Sequence, residues 1–391
     1  MIDDVRYGPE MRILVVGGGI AGLTCAGLLE QRGFAPDVVE KTDSYGGLGY
    51  ALGLWPAGSN ILKGLGQYEA FAAHADPLHT YTLLNDDGDQ LHSYDLRSLA
   101  DQFGQAQLIW RPRLIDVLRE TVSDENVQMG TTVTAIDEYD DGVDVTFTDG
   151  TTATYDLVIG ADGIHSKVRD LVFGNVALSY QGMTSWAFWV EQELVDPGVT
   201  KEHWGTGRFA GLYPTDDGLA CFLAVTAPEN TPDPVDERKA RIRDAFAGMG
   251  GFIPDILDEM EAKDPDEMWH DDFYDLKTDE WTTDRVALVG DSAHAPLPTA
   301  GVGASLAMES AAVITEELTR TDSDSLDQAL GHYVARRRER VENVQDKSRQ
   351  LGTFALFDHS SLLAPLRDQA VKHYSQERME RYFAEFLSAE I

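Results

Sequence analysis

A short apolar strand, a glycine-rich turn and a helix follow one another near the start of the sequence. The apolar residues 13–16 lead directly into Gly17-Gly18-Gly19-Ile20-Ala21-Gly22, and residues 23–31 carry apolar side chains at helical spacing. A glycine turn that opens a helix after a buried strand presents backbone N–H groups to phosphates. The order therefore predicts a dinucleotide-binding unit within an α/β sheet, without distinguishing FAD from NAD.

Each glycine of this turn has a separate predicted task. Gly17 permits the tight turn, Gly19 lets a pyrophosphate approach the backbone, and Gly22 allows the helix to pack against the strand. A second strand at 37–39 ends in Glu40, where a carboxylate can accept hydrogen bonds from the adenosine ribose hydroxyls. The predicted nucleotide-contacting residues of this unit are Gly17, Gly19, Ile20, Ala21, Gly22, Glu40 and Lys41.

The charge balance limits the partners of the chain. Its 391 residues exceed what one hydrophobic core usually organises, and 67 acidic residues against 31 basic ones give a formal net charge of −36. A field of this sign repels phosphate backbones, so nucleic acid is not an expected partner. Because molar salt shortens the Debye length to about 3 Å, such self-repulsion becomes tolerable there, and the composition indicates a halophilic source.

Cysteine usage and hydropathy predict a cytoplasmic protein without a membrane span. Cys25 and Cys221 provide neither a disulfide framework nor metal-ligand spacing, and the histidines show no paired spacing, so no metal site is expected. The first ten residues lack the features of a secretion signal. The uncharged run at 13–29 is interrupted by three glycines, which favours a strand, turn and helix over a membrane helix.

Two further motifs follow later in the chain. Residues 133–136 and 143–148 predict a small antiparallel layer, after which a buried strand runs into Asp162-Gly163 and a helix. A third motif at 285–304 contains Gly290-Asp291, Pro298 and the segment 301–304, and a helix is predicted at 305–318. Three ordered motifs are far more specific than one glycine turn.

With these motifs the chain resembles the PHBH-type flavoprotein monooxygenases, which are related to salicylate and para-hydroxybenzoate hydroxylases and to zeaxanthin epoxidase. The resemblance covers most of residues 12–352. It implies a mixed α/β fold, with a Rossmann-type FAD-binding domain, an inserted, mostly β substrate domain, and helices at the carboxyl end. The expected FAD-binding segments are 11–75, 100–175 and 280–352; the substrate sheet takes 76–99 and 176–279, and a helical tail takes 353–391.

The resemblance also implies roles for particular residues. Asp162 and Gly163 lie between FAD and the pyridine nucleotide, Arg111 contacts FAD, and Asp291 binds its ribityl chain. Pro298 lies beside the reactive face of the isoalloxazine, and helix-start amides at 301–304 face its pyrimidine edge. The further expected cofactor contacts are Val133, Gly301, Val302, Gly303 and Ala304. Family members usually have Ala in place of Ser292 and often Gln in place of Val302.

The aromatic segment from about residue 178 to 227 predicts the sheet that covers the flavin. The resemblance places the substrate between this sheet and the isoalloxazine. Phe209 and Tyr213 share a face if their segment is a strand, which makes them candidate pocket residues, although aromatic residues in a sheet more often pack in the core. The tail after residue 353 either caps the pocket, forms a homodimer contact or only packs, so a monomer and a homodimer both stay open.

The implied reaction is hydroxylation or epoxidation of an aromatic or unsaturated small molecule. NADH or NADPH would reduce FAD transiently, and O2 would form a C4a-hydroperoxyflavin that transfers its distal oxygen. One alternative is an FAD-dependent reductase or dehydrogenase on the same scaffold, and another is a non-catalytic flavin-binding protein, which would require degraded motifs. Residues 290–294 resemble a hydrolase nucleophile elbow, but His294 stands where that motif needs glycine.

Overall fold

The structure is a computed structural model that describes residues 11–46, 49–191, 193–355 and 363–387. In chain order, its strands are β1 (Ile13–Val16), β2 (Asp37–Glu40), β3 (Ala51–Leu54), β4 (Asp76–Pro77), β5 (Thr80–Leu84), β6 (Gln90–Asp95), β7 (Gln107–Trp110), β8 (Val127–Met129), β9 (Val133–Tyr139), β10 (Gly142–Phe147), β11 (Thr152–Tyr155), β12 (Leu157–Gly160), β13 (Ser179–Val190), β14 (Val199–Trp204), β15 (Arg208–Thr215), β16 (Gly218–Thr226), β17 (Trp269–Asp275) and β18 (Val286–Leu288).

The helices lie mainly between the strands of the first sheet and at the carboxyl end. In chain order, they are α1 (Ile20–Gln31), α2 (Pro56–Gly64), α3 (Tyr68–Ala72), α4 (Arg97–Phe103), α5 (Arg111–Arg119), α6 (Lys167–Phe173), α7 (Val235–Phe246), α8 (Ile253–Met260), α9 (Asp291–His294), α10 (Gly303–Leu318), α11 (Leu326–Ala355), α12 (Ala364–Lys372) and α13 (Gln376–Leu387). None of the described helices is both long and apolar enough to cross a membrane.

A five-stranded parallel sheet forms the centre of the first half of the molecule, in the order β18-β12-β1-β2-β8. Every residue of β1, β12 and β18 is buried, and each strand is an unbroken apolar run, as is typical of parallel strands covered on both faces. The antiparallel strands β9, β10 and β11 form a separate layer beside it. The carboxyl ends of β1, β12 and β18 therefore converge on one edge, where the three sequence motifs begin.

A seven-stranded sheet with the order β17-β13-β16-β15-β14-β5-β6 forms the second half. It combines strands from 80–95 with strands from 179–275, and only β14 and β5 pair in parallel. One face packs on α7 and α8 in a core that includes Trp186, Phe246 and Ile256. The opposite face, which carries Trp204 and Phe209, packs in one cluster with Leu297, directly before Pro298. This second face is called the inner face below.

The carboxyl-terminal helices lie along the inner face and its edge. Arg367 of α12 is buried and donates hydrogen bonds to the carbonyl oxygens of Trp204 and Gly205. In α13, Phe383 stacks on Trp55 with ring centroids 5.2 Å apart. The tail thus packs within this chain, against both the sheet and the segment that follows β3.

Candidate flavin and substrate site

The glycine turn after β1 has the local geometry that its sequence predicts. Gly17 has a φ of +111°, and a Cβ there would lie 2.4 Å from the Ala161 carbonyl oxygen. A Cβ on Gly22 would lie 1.9 Å from the Gly17 carbonyl oxygen, because α1 packs directly on the turn. In contrast, no atom lies within 4 Å of a Cβ position on Gly19, which opens α1. The helix N-terminus therefore faces open space, and Ile20 and Ala21 begin its first turn.

Glu40 is fixed beside this turn at the end of β2. One carboxylate oxygen accepts the Gly18 N–H at 2.8 Å, and the other accepts the N–H and hydroxyl of Thr42. The Tyr45 hydroxyl is buried next to Gly18 and has no hydrogen-bond partner among the described residues. Burial and the nearby Glu40 charge raise the pKa of Tyr45. Sequence reasoning missed Tyr45 because nothing marks a tyrosine in this loop, whereas the neighbouring Lys41 is exposed.

The second and third motifs interlock at the carboxyl ends of β12 and β18. The Asp162 carboxylate accepts hydrogen bonds from the Ser166 hydroxyl and from the first amides of α6. Arg169 is buried and donates to the carbonyl oxygens of Ile164, at 2.8 Å, and Ser292, at 3.0 Å. Asp162 thus shapes the loop, in which Gly163 has a φ of +81°. The arginine joins this loop to the segment around Asp291.

Ser292, the departure from the usual alanine, also connects the two motifs. Its hydroxyl donates to the Gly160 carbonyl oxygen at 2.6 Å and accepts the Val289 N–H at 3.1 Å. Gly160 ends β12 and Val289 directly follows β18, and Ser292 itself is fully buried. The substitution therefore adds a structural link and places no new group in the cleft.

Asp291 and Arg111 converge on the cleft from different elements. Gly290, with a φ of +69°, turns the chain so that Asp291 opens α9 with its side chain exposed to the cleft. Desolvation by the surrounding protein raises the pKa of Asp291 to about 6, and the Arg111 charge opposes this shift. The Arg111 amide donates to the Tyr50 carbonyl oxygen at 3.1 Å. The Arg111 and Asp291 charges also act on the Tyr50 hydroxyl, so a guanidinium, a carboxyl and a phenol lie near one another along the cleft.

The turn after Pro298 leads into the N-terminus of α10. Gly301 adopts a left-handed conformation with a φ of +61°, and its carbonyl oxygen accepts the Trp55 indole N–H at 2.9 Å. Gly303 and Ala304 lie in the first turn of this 16-residue helix, whose leading N–H groups have no partners within the helix. The Val302 side chain is buried, so the position that often carries glutamine in the family is apolar here.

His294 lies behind this turn. Its Nε2 atom is 3.0 Å from the Ser310 hydroxyl, and burial together with the Arg337 charge lowers its pKa to about 3. The imidazole is therefore neutral at physiological pH. His294 is the last residue of α9, and its ring packs in the interior against Trp281, 4.9 Å away.

The inner face of the seven-stranded sheet presents an aromatic wall to the cleft. Phe209, Gly211 and Tyr213 alternate onto this face, and Phe222 lies opposite Gly211 on β16. Ring contacts run from Phe209 to Phe222 at 6.2 Å and from Phe222 to Trp269 at 6.4 Å. Trp269 in turn lies 5.0 Å from Tyr50, beside Arg111. Phe209 and Tyr213 do share a face, and that face is continuous with the flavin side.

The acidic residue of the wall, Glu202, was not found from the sequence. Glu202 shares this face with Trp204, and its carboxylate accepts a hydrogen bond from the Tyr213 hydroxyl at 2.8 Å. The alternation of β14 could show that Glu202 and Trp204 point the same way, but it could not show which face of the sheet meets the cleft.

The described residues fit FAD. The open helix N-terminus at Gly19 suits a pyrophosphate, and Glu40 beside it suits a ribose. Asp291, Arg111 and the N-terminus of α10 follow along the same cleft. The buried, unpartnered Tyr45 hydroxyl marks a place where a ligand can supply a missing hydrogen bond. Val133, the first residue of β9, is buried in the core of this half.

Comparisons with known proteins agree with this geometry. A family model described as an FAD binding domain matches residues 10–348. The FAD-dependent urate hydroxylase of Klebsiella pneumoniae is 31% identical over 350 residues, which cover 87% of this chain and 89% of the relative. The aurachin C monooxygenase/isomerase of Stigmatella aurantiaca is 28% identical over 374 residues, or 95% of this chain and 96% of the relative.

The fold is also shared with solved structures. The crystal structure of Klebsiella pneumoniae HpxO complexed with FAD and uric acid has a TM-score of 0.90 and 27% identity, and covers 99% of each chain. The tetracycline destructase Tet(51) has a TM-score of 0.74 at 24% identity, over 97% of this chain and 99% of that chain, and shows the fold alone.

Proposed function

Because the chain belongs to the FAD-binding-domain family of PHBH-type flavoproteins and is an FAD-dependent monooxygenase, we propose that its substrate lies between the inner face and the turn at Pro298. The substrate is an aromatic or unsaturated small molecule that is hydroxylated or epoxidised. The observation that carries this placement is the single cluster in which Leu297 packs with Trp204 and Phe209.

Bound FAD supplies the redox chemistry, in which NADH or NADPH is the reductant and O2 the source of the transferred oxygen. The N–H groups of Ile20 to Gly22 would hold the pyrophosphate, and Glu40 the adenosine ribose. Asp291 would bind the ribityl chain, with Arg111 beside it. The leading amides of α10 would bind the pyrimidine edge, where positive partial charge favours an anionic reduced ring.

The protein's remaining task is to orient the substrate and exclude water. Phe209 and Leu297 are 7% and 1% exposed, and Phe222 adds a third apolar side chain to the same cluster. Low polarity around the reacting atoms strengthens their electrostatic interactions with fixed protein dipoles, and it protects reactive species from hydrolysis. Pro298 would limit the position of the flavin face because its ring is rigid and follows directly after Leu297.

We also propose that the enzyme works in the cytoplasm, as a monomer or a homodimer. Cys25 and Cys221 are both free and buried, which suits a reducing compartment. Size-exclusion chromatography with light scattering at several protein concentrations distinguishes the two oligomeric states.

Anaerobic reduction of the FAD-loaded enzyme tests the proposed function. NADH and NADPH are mixed with enzyme in molar KCl, with and without a panel of phenols, aromatic acids and polyenes, while flavin absorbance is followed. The expected result is reduction that one class of compound accelerates, and oxygenated product when air is admitted. Reduction coupled to substrate turnover without oxygenated product would instead support the reductase alternative.

A further inference from the structure

A carboxylate, that of Glu202 on β14, lies within the aromatic wall of the inner face. On the three strands β14, β15 and β16, this face consists mainly of aromatic, apolar and glycine residues, and Glu202 is its one acidic side chain. Leu83 and Gly211 lie directly beside Glu202 on the neighbouring strands. The carboxylate therefore lies within the wall, at a position where an apolar or neutral residue would pack more easily.

Three neutral donors hold this carboxylate. Its Oε2 atom accepts the Trp204 indole N–H at 3.0 Å and the Tyr81 hydroxyl. Its Oε1 atom accepts the Tyr213 hydroxyl at 2.8 Å. An indole N–H can only donate, and each carboxylate oxygen has two acceptor positions, so Oε1 keeps one for another donor. Tyr81, Glu202, Trp204 and Tyr213 are called the Glu202 cluster.

Gly211 makes room for this arrangement. A Cβ on Gly211 would lie 2.4 Å from the Tyr213 hydroxyl, so the phenol lies back across the glycine to reach Glu202. A larger residue at position 211 would displace the phenol. The backbone of β15 is thus compatible with a hydrogen bond that an ordinary strand residue would prevent.

No cation in the described part of the chain pairs with the Glu202 carboxylate. Among the residues that the structure describes, no lysine, arginine or histidine forms an ion pair with Glu202, and the three strands place none of these residues on the inner face. Burial raises the pKa of Glu202, and its three hydrogen bonds oppose this shift. A half-buried carboxylate without a counter-ion is costly, and in a cleft it is a candidate for ligand binding.

We propose that the Glu202 cluster binds a hydroxyl or amino group of the substrate and selects uncharged or cationic aromatic compounds over aromatic carboxylates. This inference rests on the proposed function, since it assumes that the substrate lies against the inner face. A substrate N–H or O–H donates to Oε1, and the aromatic ring lies along Phe209 and Phe222. A carboxylate in the same position would face a like charge at low dielectric, with no basic side chain on these strands to pair with it.

The test uses three compounds of similar size: 2-naphthol, 2-methoxynaphthalene and 2-naphthoate. Their binding to the FAD-loaded enzyme in molar KCl is measured by the change in flavin absorbance, without turnover. In the wild type, the naphthol should bind at least tenfold more tightly than both the ether and the carboxylate. In Glu202→Gln, the amide oxygen should take the Oε2 position, where two donors meet, and leave an NH2 group at the Oε1 position, where it cannot accept. The naphthol and ether should then agree within about twofold, and the carboxylate should bind more tightly than it does to the wild type.

Tyr94→Phe is the matched control, because the Tyr94 hydroxyl donates to the Tyr374 carbonyl oxygen outside the cluster. It should leave the affinity ratios unchanged. If Glu202→Gln does not fold, Tyr213→Phe keeps the carboxylate and should lower the naphthol-to-ether ratio partially. Ratios that stay at wild-type values in the folded variants, a wild type that prefers the carboxylate, or no binding of the naphthol would each overturn the proposal.

Product analysis separates this proposal from the proposed function. Binding that depends on Glu202 but gives no oxygenated product with any compound would count against the monooxygenase assignment and keep the cluster's role. Oxygenated product formed with the same selectivity in wild type and Glu202→Gln would support the monooxygenase assignment and count against the role of the Glu202 cluster.

Discussion

One side of the cleft presents mainly backbone groups, and the other presents mainly side chains. The parallel-sheet side presents backbone: the open turn at Gly19, the left-handed Gly301 and the N-termini of α1 and α10. The seven-stranded sheet presents side chains, chiefly aromatic rings together with the Glu202 carboxylate. A backbone site tolerates few changes because its geometry depends on missing side chains. In a wall of side chains, residues can be substituted while the strands stay in place. The backbone side therefore suits a cofactor that family members share, and the side-chain wall suits a substrate that varies among them.

Closing the glycine turn should produce the largest effect. In Gly22→Val, the new side chain would begin 1.9 Å from the Gly17 carbonyl oxygen, so α1 must move away from β1. We expect the free energy of unfolding to fall by about 3 kcal/mol and FAD to be lost from the purified protein. Chemical denaturation and the flavin absorbance of the purified protein measure the two effects.

Gly64→Ala is the control for this change. Gly64 lies in α2, is exposed, and has no atom within 4 Å of a Cβ position. Its replacement should leave FAD content unchanged and stabilise the protein by about 0.4–1 kcal/mol. Full FAD content in Gly22→Val would contradict the backbone account of this side.

Replacing Asp291 should weaken FAD binding and stabilise the FAD-free protein at neutral pH. Asp291→Asn removes a charged hydrogen-bond acceptor, so we expect FAD affinity to fall about 10- to 100-fold. The pKa of Asp291 is raised to about 6 in the folded chain, so the folded state holds the proton more tightly than the unfolded state. The wild type is therefore penalised as the pH rises through 6.

The FAD-free Asn variant should accordingly melt at a higher temperature than the FAD-free wild type at pH 7 to 8. The difference should disappear as the pH falls below the ordinary carboxyl pKa of about 4. Scanning calorimetry of both proteins across this range measures it. A difference in melting temperature that grows as the pH falls would contradict the predicted sign of the Asp291 contribution to stability.

A substitution in the aromatic wall should weaken substrate binding and leave FAD binding unchanged. Phe209→Leu keeps an apolar side chain but removes the ring that contacts Phe222. We expect KM for the substrate to rise several-fold, with FAD content and the flavin spectrum retained. Steady-state kinetics and the flavin spectrum measure this, and loss of FAD with unchanged KM would break the division between the two sides.

The smallest effect is expected at Ser292. Ser292→Ala removes the hydrogen bonds to Gly160 and Val289 behind the cleft. Stability should fall by about 1 kcal/mol, since one buried polar link is lost, while FAD affinity stays within about twofold. Denaturation curves and flavin titration measure both quantities. A large loss of FAD affinity would place Ser292 in the binding site.

The difference between the two sides also explains what the sequence could predict. Gly17 and Gly22 occupy positions that few other residues can fill, so their spacing after an apolar strand is visible without a structure. The α/β fold with a second, mostly β sheet and the FAD cofactor followed from such motifs and from the family resemblance, and both are confirmed. The individual cofactor-contacting residues and the domain boundaries stay predictions.

The substrate wall was less visible. Phe209 and Tyr213 could be placed on one face from the period of two, but the pairing of β14 with β5 joins segments more than 100 residues apart. Tyr81 therefore could not be connected with Glu202 from the sequence. A cofactor site formed by glycine turns can be predicted from a short stretch of sequence. A wall formed by side chains from several strands can be predicted only when the pairing of those strands is known.

Labelling with ¹⁸O₂ tests the central claim most directly. The FAD-loaded enzyme is given reductant and an accepted substrate under ¹⁸O₂ in ordinary water, and the product is examined by mass spectrometry. A monooxygenase should place one labelled oxygen atom in each product molecule and consume one NADH or NADPH per product. Product without the label, or label acquired only when the water is labelled, would contradict the account.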